Sequence, residues 1–442
     1  MRLDLEKVLS FIRQHPKLVV SDDYELVVQK SDSHSVDFKN GEKNAEFRDS
    51  FWWVQLRVLH RKRVGVASTV FCEEDSLKAI VQNAFELADN SLVDPWFRFP
   101  LWRAETNRMG AQKDLFPQQV LGDEDFLESV YPEIEAKGLG LEEKYSDLQE
   151  NRVVMRKTEK TNRFSTRSIQ RLRFSLVNVG THGCYRTEEI KGFEKSTKDK
   201  KKLLENLILK SERLRSQKSV NKSIPGKYVL NGRVVSYILK SLEPMLNGYD
   251  AGLGKLEPSI RVDEIVASEK VTLLDDGVLP GGEGSCRYDL EGTPGQKTAL
   301  IEKGYLKTFL HDATSAARFN RVSTGNLVLG EKNLPCIGVT NLYLEPSSLR
   351  LSQLIDEMGD GIYVEGVERV DNEPTRSGKL TLLGYGWRVC QGQPVEPIRQ
   401  IVIALHPLEI IKKISLVGGD LDFWGRYGSP SVFIEDLPLR EV

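Results

Sequence analysis

Between Leu279 and Gly330 the chain is punctuated by glycine. The run opens Leu279-Pro280-Gly281-Gly282-Glu283-Gly284-Ser285, continues through Asp289-Leu290-Glu291-Gly292-Thr293 to Leu310-His311-Asp312, and reaches Ser323-Thr324-Gly325-Asn326. Glycine admits positive φ and lets one backbone pass close to another, as a tight strand corner or a bound extended peptide requires. Whatever fold the chain adopts must organise main chain at close quarters in this stretch.

The rest of the composition is that of a soluble, enzyme-sized protein. A chain of 442 residues with 40% hydrophobic residues can bury substantial cores in two or three domains. A formal net charge of -2 gives no whole-molecule attraction to nucleic acid or an anionic membrane. The five cysteines (Cys72, Cys184, Cys286, Cys336, Cys390) lie far apart with no C-x-x-C pair, so neither a disulfide framework nor a zinc ribbon is indicated. Charges interrupt Met1 to Lys7 where a signal peptide needs an apolar core, and no apolar run has membrane-spanning length; a cytoplasmic location is expected.

Periodicity points to an α+β fold: an amino-terminal domain of mixed sheets with packed helices, and a carboxy-terminal domain that is mostly β with a few helices. Leu5, Val8, Leu9 and Ile12 recur at helical spacing, as do Leu77, Ile80, Val81, Ala84, Phe85 and Ala88. Between them Tyr24 to Lys30, Phe51 to Val58 and Val64 to Val70 are rich in β-branched and aromatic residues, with turns at Asn40-Gly41 and His60 to Lys62. Phe126, Val130 and Ile134, then Leu139 and Leu141, suggest a further helix, followed by strands near Val153 to Met155 and Arg171 to Val177. The amino-terminal domain thus reads as two αβ units, about 1–100 and 120–222. Arg163, Arg167, Arg171 and Arg173 read as the solvated side of antiparallel strands, with no aromatic-plus-basic module to make them a nucleic-acid surface. Lys195 to Lys218 reads as an amphipathic helix with packed leucines and solvated lysines. Further on, short β patterns alternate with Gly, Pro, Asn or Asp, and two short helices are expected at Ser352 to Met358, with a serine cap, and at Pro407 to Ile414.

The order Pro280-Gly281-Gly282, Asp289-Leu290-Glu291-Gly292, Leu300 to Leu306 and Ser323-Thr324-Gly325-Asn326 resembles the TldD/PmbA family. Val36 to Glu42, Arg63 to Thr69 and Leu416 to Leu421 are also similar to strands and turns of that family. By the same resemblance, Ser223 to Lys227 is the turn into the carboxy-terminal domain. The domains are then 1–222 and 223–442.

The resemblance also says where chemistry would sit. TldD-type members carry H-E-x-x-x-H on a helix after that boundary, two imidazoles binding a metal and the glutamate activating its water. The equivalent stretch, Tyr237 to Gly248, has no histidine; it offers Lys240, Ser241, Glu243 and Pro244, and a lysine there would oppose a cation. The cysteine ligand of TldD-type members is also missing from Asp422 to Pro430. The chain therefore looks like the PmbA/TldE branch, with no catalytic residue, metal ligand or cofactor of its own and zinc expected in a TldD-type partner.

Other constellations carry less. Cys286 or Ser285 with His311 and Asp312 would supply a nucleophile, base and orienting carboxylate, but sequence neighbours rarely have that geometry. Gly281 to Gly284 lacks the Lys-Ser/Thr of a phosphate loop. Asp275, Asp276, Asp289, Glu291 and His311 are potential cation donors that also suit turns, and no metal is assigned to them.

What the resemblance implies is a non-catalytic PmbA/TldE-like subunit of a cytoplasmic metalloprotease complex that processes small unfolded peptides. Gly281, Gly282, Ser285, Asp289, Glu291, Gly292, Ser323, Thr324, Gly325 and Asn326 are the expected peptide-handling or chamber-lining residues. Two alternatives stay open: a metal-free homodimeric peptide-binding or chaperone-like module, and a metallopeptidase with non-standard ligands. The partners expected are a TldD-type subunit or a second copy, and an unfolded peptide; no nucleic acid and no membrane.

Overall fold

The structure is a computed structural model. It describes the chain apart from residues 1–3, 41, 98, 101, 103–131, 133, 137–138, 160–161, 181–182, 193–203, 206, 209–225, 257–259, 331–333, 372–379, 438–439 and 442. The fold is α+β, as the periodicity indicates.

Helix α1 (Leu5–Gln14) and the short α2 (Pro16–Val19) precede three strands, β1 (Asp23–Lys39), β2 (Glu42–His60) and β3 (Arg63–Thr69), and then α3 (Glu74–Asn90). Asp4 caps α1 by accepting the Lys7 N–H, which uses one of the free donors at a helix start. Strands β4 (Leu139–Arg156), β5 (Arg163–Gly180) and β6 (Gly183–Gly192) complete one antiparallel sheet in the order β3-β2-β1-β4-β5-β6. A single sheet therefore carries the strands of both expected αβ units, joined where β1 pairs with β4 along its length.

Leu139 and Leu141 are in β4, not in a helix with Ile134. Their i, i+2 spacing puts both on one face, where they pack with Ile134, Val36, Phe38, Phe174 and Leu176. Phe126 and Val130 lie outside the described residues, as do all the basic positions between Lys195 and Lys218. Leu204, Leu207 and Ile208 from that stretch are buried in the same cluster.

The carboxy-terminal region holds three sheets. Its strands are β7 (Lys227–Leu230), β8 (Leu273–Asp276), β9 (Lys297–Glu302), β10 (Tyr305–Leu306), β11 (Leu327–Leu329), β12 (Pro335–Ile337), β13 (Leu342–Leu344), β14 (Gly361–Asp371), β15 (Leu380–Cys390), β16 (Gln393–Leu405), β17 (Ile414–Val417), β18 (Asp422–Trp424), β19 (Tyr427–Ser429), β20 (Val432–Glu435) and β21 (Arg440–Glu441). One sheet runs β17-β20-β7-β14-β15-β16-β21, a second β10-β9-β8-β13-β19-β18, and β11-β12 form a small pair. The helix Gly232–Leu242 lies in the core between them, burying Val234, Val235, Ile238, Leu239 and Leu242 with Tyr228, Leu273, Leu342, Ile362 and Val432. The expected serine cap at 352 is displaced: Arg350 is the cap, its backbone N–H donating to the Gln353 side chain at 2.8 Å.

Candidate functional site

The glycine-rich run lies against the amino-terminal sheet. Leu290 and Leu327 pack with Val27, Trp53 and Val154, which lie on the face of the sheet away from α1 and α3. Arg163, Arg167 and Arg171 on that face reach the loop, contrary to the reading of alternating arginine as a solvated edge. Arg163 donates to Gly292 O at 2.7 Å, Arg167 to Glu283 O at 3.1 Å and Arg171 Nε to the Glu283 carboxylate at 3.2 Å. The physical reason is that the glycine-rich loop covers this part of the face, so these three guanidiniums are turned onto its backbone carbonyls or carboxylate.

Deeper in the junction, Arg57 donates to Glu25 and, at 2.8 Å, to Glu291, while Arg156 reaches the other Glu25 oxygen at 2.6 Å. Both glutamates are fully buried. Trp102 covers the ensemble: Arg156 and Arg163 lie over its ring at 4.7 and 4.8 Å, and its indole N–H donates to Glu291 O. Burial pushes the Glu291 carboxyl up, Arg57 opposes this, and Asp289, Asp312 and Glu25 add to the rise. Burial likewise raises Asp289.

The predicted handling residues prove to be the internal framework of the loop. Asp289 accepts the N–H groups of Glu291, Thr293 and Leu327. Ser285 donates to Leu279 O and receives Asn341. Ser323 and Thr324 bond the backbone of His311, and Asn326 ties Asp275 to Gly338 O. Gly281, Gly292 and Gly325 take φ of +69, +73 and +71, and a Cβ on Gly282 would meet Asn341 and Ser285 at 2.7 Å. Those positions require glycine for conformation or for space.

His311 is buried with Nδ1 3.1 Å from Ser315 Oγ, its ring packed on Gly248, and burial lowers its pKa. Its described partners include neither Ser285 nor Cys286, so the nucleophile constellation is not assembled. Asp275, with its carboxylate held by Asn326 and Thr340, is pushed by burial up to about 6. Among the described residues no three His, Cys, Asp or Glu side chains converge to hold a metal.

The two segments where the metal ligands of TldD-type members would be expected do meet. Lys240 is exposed at the end of its helix, and Ser241 bonds back to Ile238 O at 2.6 Å. Pro244 converts the helix into the 3-10 turn Glu243–Leu246. Glu243 then accepts the Val339 N–H at 3.1 Å on one oxygen and the Tyr427 O–H at 2.5 Å on the other. Tyr427 opens β19 after the Gly425-Arg426 turn, and its phenol is raised by burial and by Glu243. Sequence reading missed this link because Tyr427 lies 184 residues from Glu243. It equally missed the arginines at 57, 152 and 156, whose only signal was charge recurring on a strand face that also carries Val27, Trp53 and Val154.

Residues 226–440 match the PmbA/TldA metallopeptidase C-terminal domain, and residues 24–88 match PmbA/TldA metallopeptidase domain 1. A metalloprotease of Methanocaldococcus jannaschii is 25% identical over 437 residues, 95% of this chain and 93% of that protein. A metalloprotease TldD homolog of Buchnera aphidicola (subsp. Schizaphis graminum) is 34% identical over 164 residues, 36% of this chain and only 33% of its own length. Among solved structures, a putative modulator of a DNA gyrase from Thermotoga maritima superposes with TM-score 0.84 at 19% identity, covering 99% of this chain and all of the other. TldE from Thermococcus kodakarensis gives 0.80 at 19% identity over 98% and 99% of the two chains. At such identities these two likenesses establish the fold. The matched family is metallopeptidase-related. The chain belongs to the TldD/PmbA family.

Proposed function

We propose that this chain is the non-catalytic, PmbA/TldE-like subunit of a cytoplasmic metalloprotease complex. It holds a small unfolded peptide through the peptide's main chain, as an added strand, while a TldD-type partner supplies the zinc and the glutamate that activates its water. The supporting observation is the occupation of Glu243: both carboxylate oxygens are taken, by the Val339 N–H and the Tyr427 O–H. The donors around it do not fit a zinc ion, which needs imidazole, thiolate or free carboxylate ligands in a tetrahedral set. The facing turn offers a guanidinium and a phenol instead.

The test uses the purified chain, alone and mixed with a TldD-type protein from the same cell, with zinc content and cleavage of an unstructured peptide as readouts. The expected result is cleavage by the mixture, none by this chain alone, and zinc that follows the partner. Stoichiometric zinc together with cleavage by the isolated chain would sink the reading in favour of a metallopeptidase with non-standard ligands. A stable homodimer that binds peptide and ignores the partner would replace it with the chaperone-like module.

A further inference from the structure

The amino-terminal sheet ends on β6 at one side and on β3 at the other. The two edges differ in sequence. β6 includes Arg186, Glu188, Glu189 and Lys191, a charged composition of the kind that keeps an edge from pairing with another chain. From Val64 to Cys72, by contrast, β3 and the residues after it carry neither a charge nor a proline. Val66, Val70 and Phe71 are 40%, 47% and 61% exposed, and Ser68 is exposed among them.

The hairpin fixes where the main chain of β3 points. Arg61 and Lys62, with φ of +51 and +62, form a two-residue type I′ turn, whose flanking residues His60 and Arg63 exchange hydrogen bonds. Leu59 agrees with that phase: its carbonyl turns away from β3 and accepts the Asp22 N–H at 3.0 Å. Alternation then aims Gly65, Ala67 and Thr69 at β2 and the N–H and C=O groups of Val66 and Ser68 outward. None of these four groups has a hydrogen bond with a described residue. The chain itself pairs with the start of this edge, through a single antiparallel bridge between Val93 and Arg63, and Pro95 follows. The edge also borders the glycine-rich loop, since Val66 lies opposite Arg57, which donates to Glu291 at 2.8 Å.

We infer that the outer edge of β3 is where the peptide is added, as an antiparallel strand, with Val66 and Ser68 each exchanging a pair of hydrogen bonds with one peptide residue. The inference rests on the peptide-holding reading above and deepens it by naming the edge. Donors and acceptors that repeat every second residue match another extended main chain. The uncharged run from Val64 to Cys72 offers no ion pair to a charged side chain at the paired positions, so the segment selected is uncharged there.

The test titrates the full chain into a labelled, end-capped peptide of alternating threonine and valine and reads fluorescence anisotropy. A second peptide with consecutive N-methylated residues through its centre leaves no register with its N–H groups intact, and should bind about 10-fold more weakly. Ser68→Pro removes one outward donor without touching the ladder to β2, and should weaken the parent peptide about 10-fold, whereas Ser68→Ala keeps the main chain and should not. Val66→Lys places a charge on the edge, should also weaken binding, and answers the question if Ser68→Pro lowers the Tm. The parent peptide should slow hydrogen exchange across Val64 to Thr69. A methylation effect that persists while Ser68→Pro and Val66→Lys bind normally, or exchange that is unchanged across Val64 to Thr69, would overturn the inference and leave the peptide-holding reading standing. Equal binding of the methylated peptide would sink both. A dimer of this chain that Ser68→Pro dissociates and that excludes peptide would overturn the inference by making a second copy the occupant. Capture of peptide at this edge without cleavage in the mixture with the TldD-type protein would keep the edge site and sink the protease-subunit reading.

Discussion

Along β1, Tyr24, Leu26 and Val28 face α1 and α3, whereas Glu25, Val27 and Gln29, one residue out of step, face the glycine-rich loop. The first set joins Val54, Leu56, Val58, Val8, Ile12, Leu77 and Val81 in an apolar core. In the second set Glu25 and Gln29 are paired with Arg57, Arg152 and Arg156 from β2 and β4. One strand therefore makes a non-directional contact on one side and a directional one on the other. Apolar packing needs only volume and periodicity, while buried ions need particular partners at particular distances. The charged face thereby fixes how the glycine-rich loop sits.

Breaking each face should have distinct consequences. Arg57→Met strands Glu291 in the interior and leaves Glu25 with Arg156 alone, and should cost about 3–5 kcal/mol in urea unfolding. Adding Glu291→Gln should recover part of that loss, because the uncompensated charge goes with it; no recovery would mean that Arg57 acts through packing. On the apolar side, Gly65→Ala drives a Cβ to 1.8 Å from Ala84 O and 2.6 Å from Ala88 N, both backbone atoms of α3. Its expected cost is about 1–3 kcal/mol, and a neutral result would show that α3 shifts freely on the sheet.

The smallest expected effect is a pH slope. The Glu291 carboxyl is raised in the folded protein, mainly by burial, so folding retains a proton that the unfolded chain gives up. That contribution is fully present below the ordinary glutamate range and is lost as pH rises through the folded value. Stability measured from pH 5 to 9 should therefore fall with pH at this site, and Glu291→Gln should flatten the slope. A slope unchanged by Glu291→Gln would assign the effect to another buried acid, such as Asp289 or Asp275.

Elements whose period is set by local burial were legible in advance. The six apolar positions from Leu77 to Ala88 are the buried stripe of α3, and the glycine-rich order identified the family. The Leu139 and Leu141 assignment failed because a two-residue spacing between leucines fits the tail of a helical pattern until a strand partner is known. Of the residues expected to handle peptide, Asp289, Thr324 and Asn326 spend their hydrogen bonds on the loop's own backbone.

Sequence alone determined the fold class, the family and the absence of histidine between Tyr237 and Gly248, since each is written in residue types at short range. Tertiary structure decided which charges pair and which stay free: Glu243 with Tyr427, Arg57 with Glu25 and Glu291, Arg426 with none of the described residues. Those pairings span up to 234 residues, and that of Arg57 with Glu291 depends on the glycine-rich loop meeting the amino-terminal sheet, so no local pattern in the chain encodes them.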